Sequence, residues 1–463
     1  MKRFPIRLVL TTFLFFPVLA SVAQEPKALP QADSRYKADI LVVVAHPDDE
    51  AGATSYLARA LDEGKRVAVV FTTRGSNGAN SAGEEQAGAL GDIREIEARR
   101  ALATFGIANV WFLSGKDTPS QNVLQSLASW GHGACLEQLV RIVRLTRAEV
   151  ILTVLPGTFI GENHGDHQAA GVLATEAFEL AGDPTAFPEQ LSGPTKRLET
   201  FLENLRPWQP KKIYYSPDAD REDIFRGLGP TYSGKDISKT THKSYGRMAL
   251  EGFRTHETQA KSYLDRIAGM DDAQIQKLAE SDGWESAQQF VRGKSLVGGS
   301  VTGDIFEGIT VGAIPFVRPE GSPEPAHPEL SVELDGPWSY YADFRRLHGL
   351  AHLPHPEPPE ITLQGHTTMV IPLWVRNGTG KTQEIALSAA LPAGWTILSG
   401  TGKFTVAAKQ VAAARIEILL PAVPETETKK AEAQEVSVHA EANGQTIGDV
   451  KLRVELRKRA LPQ

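Results

Sequence analysis

An α/β fold, a Rossmann-like doubly wound and mostly parallel sheet followed by an immunoglobulin-like β-sandwich, is what this 463-residue sequence predicts. Over the first half, short β-branched runs alternate with segments of helical spacing, the pattern of right-handed βαβ units. Beyond residue 360 the hydrophobic period falls to two, in about seven short stretches over roughly 100 residues, as a sandwich requires. The length itself exceeds what one hydrophobic core usually supports, so more than one domain is expected.

The first parallel strand is 40–44 (ILVVV), an apolar run suited to burial on both faces. Residues 52–61 follow with helical spacing, then a second strand at 67–71 (VAVVF) and a helix at 92–105. Residues 110–113 (VWFL) form the third strand, 124–146 read as one helix, and 150–155 (VILTVL) are the fourth strand. A helix at 168–180 and a fifth strand at 212–215 (KIYY) complete the α/β pattern. Residues 253–292 are polar and helical, so the α/β domain with this extension is expected over 36–295. The Gly/Pro-rich stretch 296–359 is expected to be irregular, ending in the stiff linker His355-Pro356-Glu357-Pro358-Pro359. The sandwich, 360–458, has strand candidates at 361–364, 368–376, 384–387, 404–406, 414–420, 435–439 and 451–456. Asn377-Gly378, Gly400 and Asn443-Gly444 punctuate them as turns.

The N-terminus is basic (Lys2, Arg3, Arg7), continues through the apolar run 8–20 and reaches the small residues Ser21-Val22-Ala23. That is a secretory signal peptide over 1–23, and it predicts an exported, periplasmic or extracellular protein. Losing those three positive charges takes the net charge from −7 to −10. An acidic protein without a basic face is a poor nucleic-acid binder. Cys135 is the only cysteine, so no intramolecular disulfide can form and thiolate metal sites are excluded. Its apolar helical surroundings read as a packed thiol, and any metal must be held by His and carboxylate.

The first strand runs out into Ala45-His46-Pro47-Asp48-Asp49-Glu50, and the fourth is followed by a loop ending in His164-Gly165-Asp166-His167. In a parallel sheet the carboxyl ends of the strands face the ligand crevice, so both clusters arrive at one edge. Two His and one Asp with an open position suit a catalytic zinc, which lowers the pKa of its water to about 7 and polarises a carbonyl. Iron suits the same donors. The loop Arg74-Gly75-Ser76-Asn77-Gly78 lacks a phosphate-binding fingerprint and is expected to form a rim of the pocket.

These two motifs together closely resemble the LmbE-like, or PIG-L-type, family of zinc-dependent N-deacetylases, over roughly residues 38–215. Gly165 departs from the family, where a Pro is common. The resemblance implies that His46, Asp49 and His167 are zinc ligands and that Asp48 is the general base. It implies that His164 stabilises the oxyanion and that Asp166 orients the His164 ring. Leu90-Gly91-Asp92-Ile93-Arg94-Glu95 resembles a family segment whose arginine, here Arg94, contacts substrate, and Asp117 resembles a position that binds sugar hydroxyls. His256 and Gln259 resemble residues of a family segment near the active site. In the sandwich, Leu391-Pro392-Ala393-Gly394-Trp395 resembles NEW3-type domains attached to bacterial glycan enzymes, implying either glycan or cell-wall association or a spacer. The implied activity is hydrolytic removal of an N-acyl group, typically acetyl, from an amino sugar or glycoconjugate by a zinc-activated water. The alternatives are an amidase acting on a non-sugar or thiol-conjugate amide, and a catalytically inactive glycan-binding protein.

Overall fold

The buried apolar runs form strands where the spacing predicts them. A computed structural model describes residues 32–157, 164–191, 204–217, 222–281, 287–423 and 432–457; the expected signal peptide lies outside them. In it, β1 (Ile40–Val44), β2 (Val67–Phe71), β3 (Asn109–Phe112), β4 (Val150–Val154) and β5 (Lys212–Ser216) lie parallel. They are linked by α1 (Ala51–Asp62), α2 (Ala87–Thr104), the pair α3 (Val123–Trp130) and α4 (His132–Thr146), and α5 (Gly165–Leu180). Every residue of β1, β2 and β4 is buried, because helices cover both faces of the sheet. Leu41 and Val43 pack in the cluster that holds α3, α4 and α5, whereas Ile40, Val42 and Val44 pack with α1 and α2.

Strand order is β3-β2-β1-β4-β5, closed by an antiparallel β8 (Val291–Ser295) that follows β6 (Thr231–Ser233), α6 (Tyr245–Phe253), α7 (Glu257–Ile267), α8 (Asp272–Ser281) and β7 (Ala287–Gln289). From β1 the chain winds outward through β2 and β3, then returns to β4 on the other side. The carboxyl ends of β1 and β4 therefore flank the point where the winding reverses, the crevice that binds ligands in such sheets.

Three stretches depart from the sequence reading. Residues 124–146 are two helices, since Gly131 at φ +65° takes a left-handed turn and its amide closes α3 on Ala128 and Leu127. Residues 253–292 contain strands as well as helices. The stretch 296–359, expected to be irregular, contains β9 (Leu330–Leu334) and α9 (Pro337–Leu347). Pro337 at the start of α9 is suited to a first helical position. Tyr341, Phe344, Leu350 and Leu353 join the core of the α/β unit, and the Tyr341 hydroxyl donates to Gln168 Oε1 on α5 at 2.6 Å.

The remaining strands are β10 (Glu360–Gln364), β11 (Thr368–Asn377), β12 (Gln383–Ala390), β13 (Thr396–Ser399), β14 (Gly402–Val406), β15 (Gln410–Leu419), β16 (Gln434–Ala442) and β17 (Gln445–Arg457). They make a five-stranded sheet, β10-β17-β16-β12-β14, and a four-stranded one, β13-β15-β11-β9, whose inward residues share one core. β9 pairs with β11 across the supposed linker, so this C-terminal unit recruits a strand from before residue 360. Among the described residues, no helix is long and apolar enough to cross a membrane.

If α9 is part of the α/β core, Phe344→Ala should lower the unfolding free energy by roughly 3–5 kcal/mol, as for other buried aromatics. Leu347→Ala, at a position 51% exposed on the same helix, should shift it by no more than about 0.5 kcal/mol. Urea denaturation of the two variants makes the comparison.

Candidate active site

β1 delivers Ala45 and His46 to the sheet edge, and Asp49 folds back on them. Its Oδ2 accepts the amides of Ala45 (3.1 Å) and His46 (2.7 Å), which locks the turn. The His46 ring then lies beside that carboxylate, Nδ1 being 3.4 Å from Asp49 Oδ2. From the first turn of α5, His167 Nε2 comes within 3.2 Å of His46 Nδ1 and 3.1 Å of Asp49 Oδ1. Two imidazole nitrogens and a carboxylate thus converge on one point.

The other nitrogen of His46 decides what that point can hold. Nε2 faces Asp117 Oδ1 at 3.1 Å and Asp166 Oδ2 at 3.4 Å. Carboxylates only accept, so Nε2 carries a hydrogen and Nδ1 is the atom free to offer a lone pair. A tetrahedral zinc with ligands at 2.0–2.2 Å separates them by about 3.3–3.6 Å; His167 Nε2 stands 3.2 Å from His46 Nδ1 and 3.1 Å from Asp49 Oδ1, while the 3.4 Å from His46 Nδ1 runs to Asp49 Oδ2, the oxygen that holds the two amides. The donors fit a divalent cation. Asp117, Asp166 and His164 also gather round His46 within 4.8 Å, and His164 lies equally within that distance of His46 and His167 together. Asp166, however, is fully buried with both oxygens engaged by Thr118, through its amide and its hydroxyl at 2.8 Å each. Asp117 Oδ2 is likewise taken by the Asn77 amide at 2.6 Å. That side of His46 orients the ring; the Nδ1 side is open to an ion.

Asp48 projects its carboxyl into a cavity of about 300 Å³ that His46, Asp49, Arg94, Asp117, His164 and His167 also line. Among the described residues its carboxyl oxygens accept no hydrogen bond. Burial, then the neighbouring Asp49 carboxylate, push it up to about 7. Its backbone sits at φ +102°, which an L-residue rarely adopts. Glu50 Oε2 accepts the Asp48 amide at 2.8 Å, and Glu50 Oε1 meets His256 Nε2 at 2.7 Å, both side chains fully buried. Gln259 donates to the Pro47 carbonyl at 2.7 Å. Three residues beyond the motif's ligands, Glu50, His256 and Gln259, thus pin the turn that presents Asp48.

The remaining expected residues fall in or against the cavity, two of them in other tasks than the resemblance implies. Asp166 does not bond the His164 ring. It holds Thr118, whose carbonyl meets His164 Nε2 at 2.5 Å, so its effect on His164 passes through that residue. Asp117 is expected at sugar hydroxyls, yet spends both oxygens on His46 and Asn77. On the way from β3 to Asp117, Gly115 passes close to the Thr72 carbonyl just beyond β2, where a Cβ would stand 2.4 Å from the oxygen. Arg94 is buried in the wall and donates to the carbonyls of Gly75 (2.7 Å) and Ala79 (2.8 Å), which brings Asn77 and Gly78 to the rim as expected. Cys135 is buried in α4, a packed thiol. Glu50 and Thr118 carry no role in the sequence reading, and Asn77 only that of a rim residue. Glu50 stands inside the first motif, so adjacency alone could have raised it; Thr118 leaves no comparable signal.

Burial would depress the His46 imidazole, but the carboxylates of Asp49, Asp117 and Asp166 outweigh it and hold it well above its ordinary value. The metal-free site is therefore protonated at neutral pH, and a cation must displace that proton. Zinc titration calorimetry at pH 7 in buffers of different ionisation enthalpy should report release of about one proton or more per ion, with affinity rising with pH. Asp117→Ala should weaken zinc binding by about 10–100-fold through loss of the orienting acceptor, measured by competition with a chromogenic chelator.

The model of the PIG-L family, described as GlcNAc-PI de-N-acetylase, matches residues 41–178. The 1D-myo-inositol 2-acetamido-2-deoxy-alpha-D-glucopyranoside deacetylase of Thermobifida fusca is 32% identical over 194 residues, 38% of this chain. The chain spans 60% of that relative's length. The protein of the same name from Streptomyces avermitilis is 32% identical over 319 residues, 65% of this chain and 84% of its own. Among solved structures, the N,N'-diacetylchitobiose deacetylase of Pyrococcus horikoshii aligns over 55% of this chain and 84% of that one, at 19% identity and a TM-score of 0.39. A superposition that loose bears on neither fold nor chemistry. With one relative about a third identical over most of its length, and both motifs inside or beside the matched segment, this chain belongs to the PIG-L family.

Proposed function

We propose that the protein is a zinc-dependent hydrolase that removes an N-acyl group, typically acetyl, from the nitrogen of an amino sugar or glycoconjugate. The observation that carries this is the convergence of His46 Nδ1, Asp49 and His167 Nε2 beside the unengaged carboxyl of Asp48. The names of the Thermobifida and Streptomyces relatives support the substrate class.

A divalent cation held by His46, Asp49 and His167 would supply polarisation of the acyl carbonyl and acidification of a water. The chain's own residues do the rest. Asp48, near neutral in pKa, takes a proton from the attacking water as its oxygen bonds the carbonyl carbon. It returns that proton to the nitrogen as the C–N bond breaks, leaving acetate and a free amine. His164 uses Nε2 on the Thr118 carbonyl, so its donor to the oxyanion is Nδ1, which needs the doubly protonated ring. Arg94, tethered by two loop carbonyls, keeps further N–H donors and a positive field beside the cavity. Iron remains the alternative ion, since two His and one Asp suit both.

The sequence supports export through the signal peptide at 1–23, so the reaction takes place in the periplasm or outside the cell. The C-terminal unit is read as an immunoglobulin-like, NEW3-like domain. Trp374, 44% exposed on its four-stranded sheet, is suited to glycan or wall contact.

Incubating the full chain with N-acetylglucosaminyl glycosides should release acetate, stop on chelation and resume on zinc addition. Asp48→Asn should lower kcat by about 10²–10⁴-fold with zinc content unchanged. Undiminished turnover in the metal-stripped protein would refute the reading.

A further inference from the structure

Between the two units lies a second cavity, of about 530 Å³, remote in character from the first. Its walls are Leu155 at the end of β4, Leu334 from β9, Trp338 and Tyr341 from α9, Leu353, and Val450 from β17. Volumes of this size accommodate a small organic ligand, and apolar walls with few polar groups are the usual composition of such sites.

Besides Tyr341, which bonds Gln168, six acidic, basic or histidine side chains border it, and five are already matched. Glu333 pairs with His327 at 3.0 Å and His355 with Glu357 at 2.8 Å. Asp449 pairs with His439 at 2.5 Å and Lys451 with Glu435 at 2.8 Å. The guanidinium of Arg345, from α9, has no hydrogen-bonded or ion-paired partner among the described residues. It is half-buried, and loss of water holds its guanidinium below its ordinary value, with Glu357 the only acid acting on it through space. Trp338 adds an indole N–H that is also buried without a partner. A half-buried guanidinium with no acceptor in contact keeps its N–H donors available to an anion.

We infer that this cavity is a binding site for an amphipathic anion, an apolar chain or ring with a single carboxylate or phosphate head, the head pairing with Arg345 and the apolar body packing against Leu334, Trp338 and Leu353. Guanidinium takes either head as a two-pronged acceptor. The site is independent of the deacylase reading, because none of its walls belongs to the metal centre.

The test uses the full chain and three probes of equal tail, decanoate, decyl phosphate and decanol, titrated calorimetrically below their micellar concentrations. Decanoate or decyl phosphate should bind with one site per chain and at least tenfold more tightly than decanol; which of the two wins identifies the head. Arg345→Gln should weaken the preferred anion at least tenfold while leaving decanol unchanged, and Arg345→Lys should fall between. If Arg345→Gln fails to fold, Leu334→Trp, which fills the cavity, should abolish anion uptake instead. No binding of either anion, equal binding of decanol, or unaltered binding by both the charge-removing and cavity-filling variants would overturn the assignment.

Discussion

β1 and β4 are hydrogen-bonded neighbours whose onward connections run to opposite sides of the sheet, and that adjacency is what creates a site at all. Residues 121 positions apart, His46 and His167, are brought to 3.2 Å because His46 lies just beyond the carboxyl end of β1 and His167 in the first turn of α5, the helix that follows β4. The register between them is pinned by burial on both faces: a slip of one residue would exchange the two apolar faces of β1 between two different helix layers. The position of a few donor atoms is thereby tied to the packing of the whole sheet.

Around that convergence the chain concentrates negative charge, and the arrangement keeps it tolerable by giving each carboxylate a distinct task. Asp49 faces the proposed ion position and two backbone amides. Asp117 and Asp166 face the far nitrogen of His46, which draws Asp117 down to about 2. Glu50 is matched with His256 and holds the Asp48 amide. Asp48 alone is left without a hydrogen-bond acceptor role, in a strained backbone conformation, which is the state expected of a group held ready to receive a proton. One imidazole therefore connects two regions of the site: its Nε2 side faces Asp117 and Asp166, and its Nδ1 side faces Asp49 and His167, the proposed ion position.

Much of this was legible in the sequence. The runs at 40–44, 67–71 and 150–155 announce strands buried on both faces, and the two His/Asp clusters announce what leaves two of them. The helix break at Gly131 was not legible, because helical spacing continues on both sides of a single glycine. β9 and α9 escaped for a different reason. Each is short, lies in Gly/Pro-rich surroundings and is stabilised by partners far away, β9 by β11 and α9 by α5, so local composition carries little trace of either. The exchange of roles around Asp117 and Asp166 also lay beyond the sequence, since it depends on which nitrogen of His46 each oxygen meets. α9 matters beyond its own packing. Through Tyr341 it reaches Gln168, the neighbour of His167, so the C-terminal unit is anchored to the helix that carries a proposed ligand.

The central claim is that a single divalent ion occupies the Nδ1 side of His46. Crystals of the zinc-loaded protein, with diffraction recorded on either side of the zinc absorption edge, locate the ion directly. The account predicts one anomalous peak about 2.0–2.2 Å from His46 Nδ1, His167 Nε2 and a carboxylate oxygen of Asp49. A peak on the Nε2 side, among Asp117, Asp166 and His164, or none at all, would contradict it.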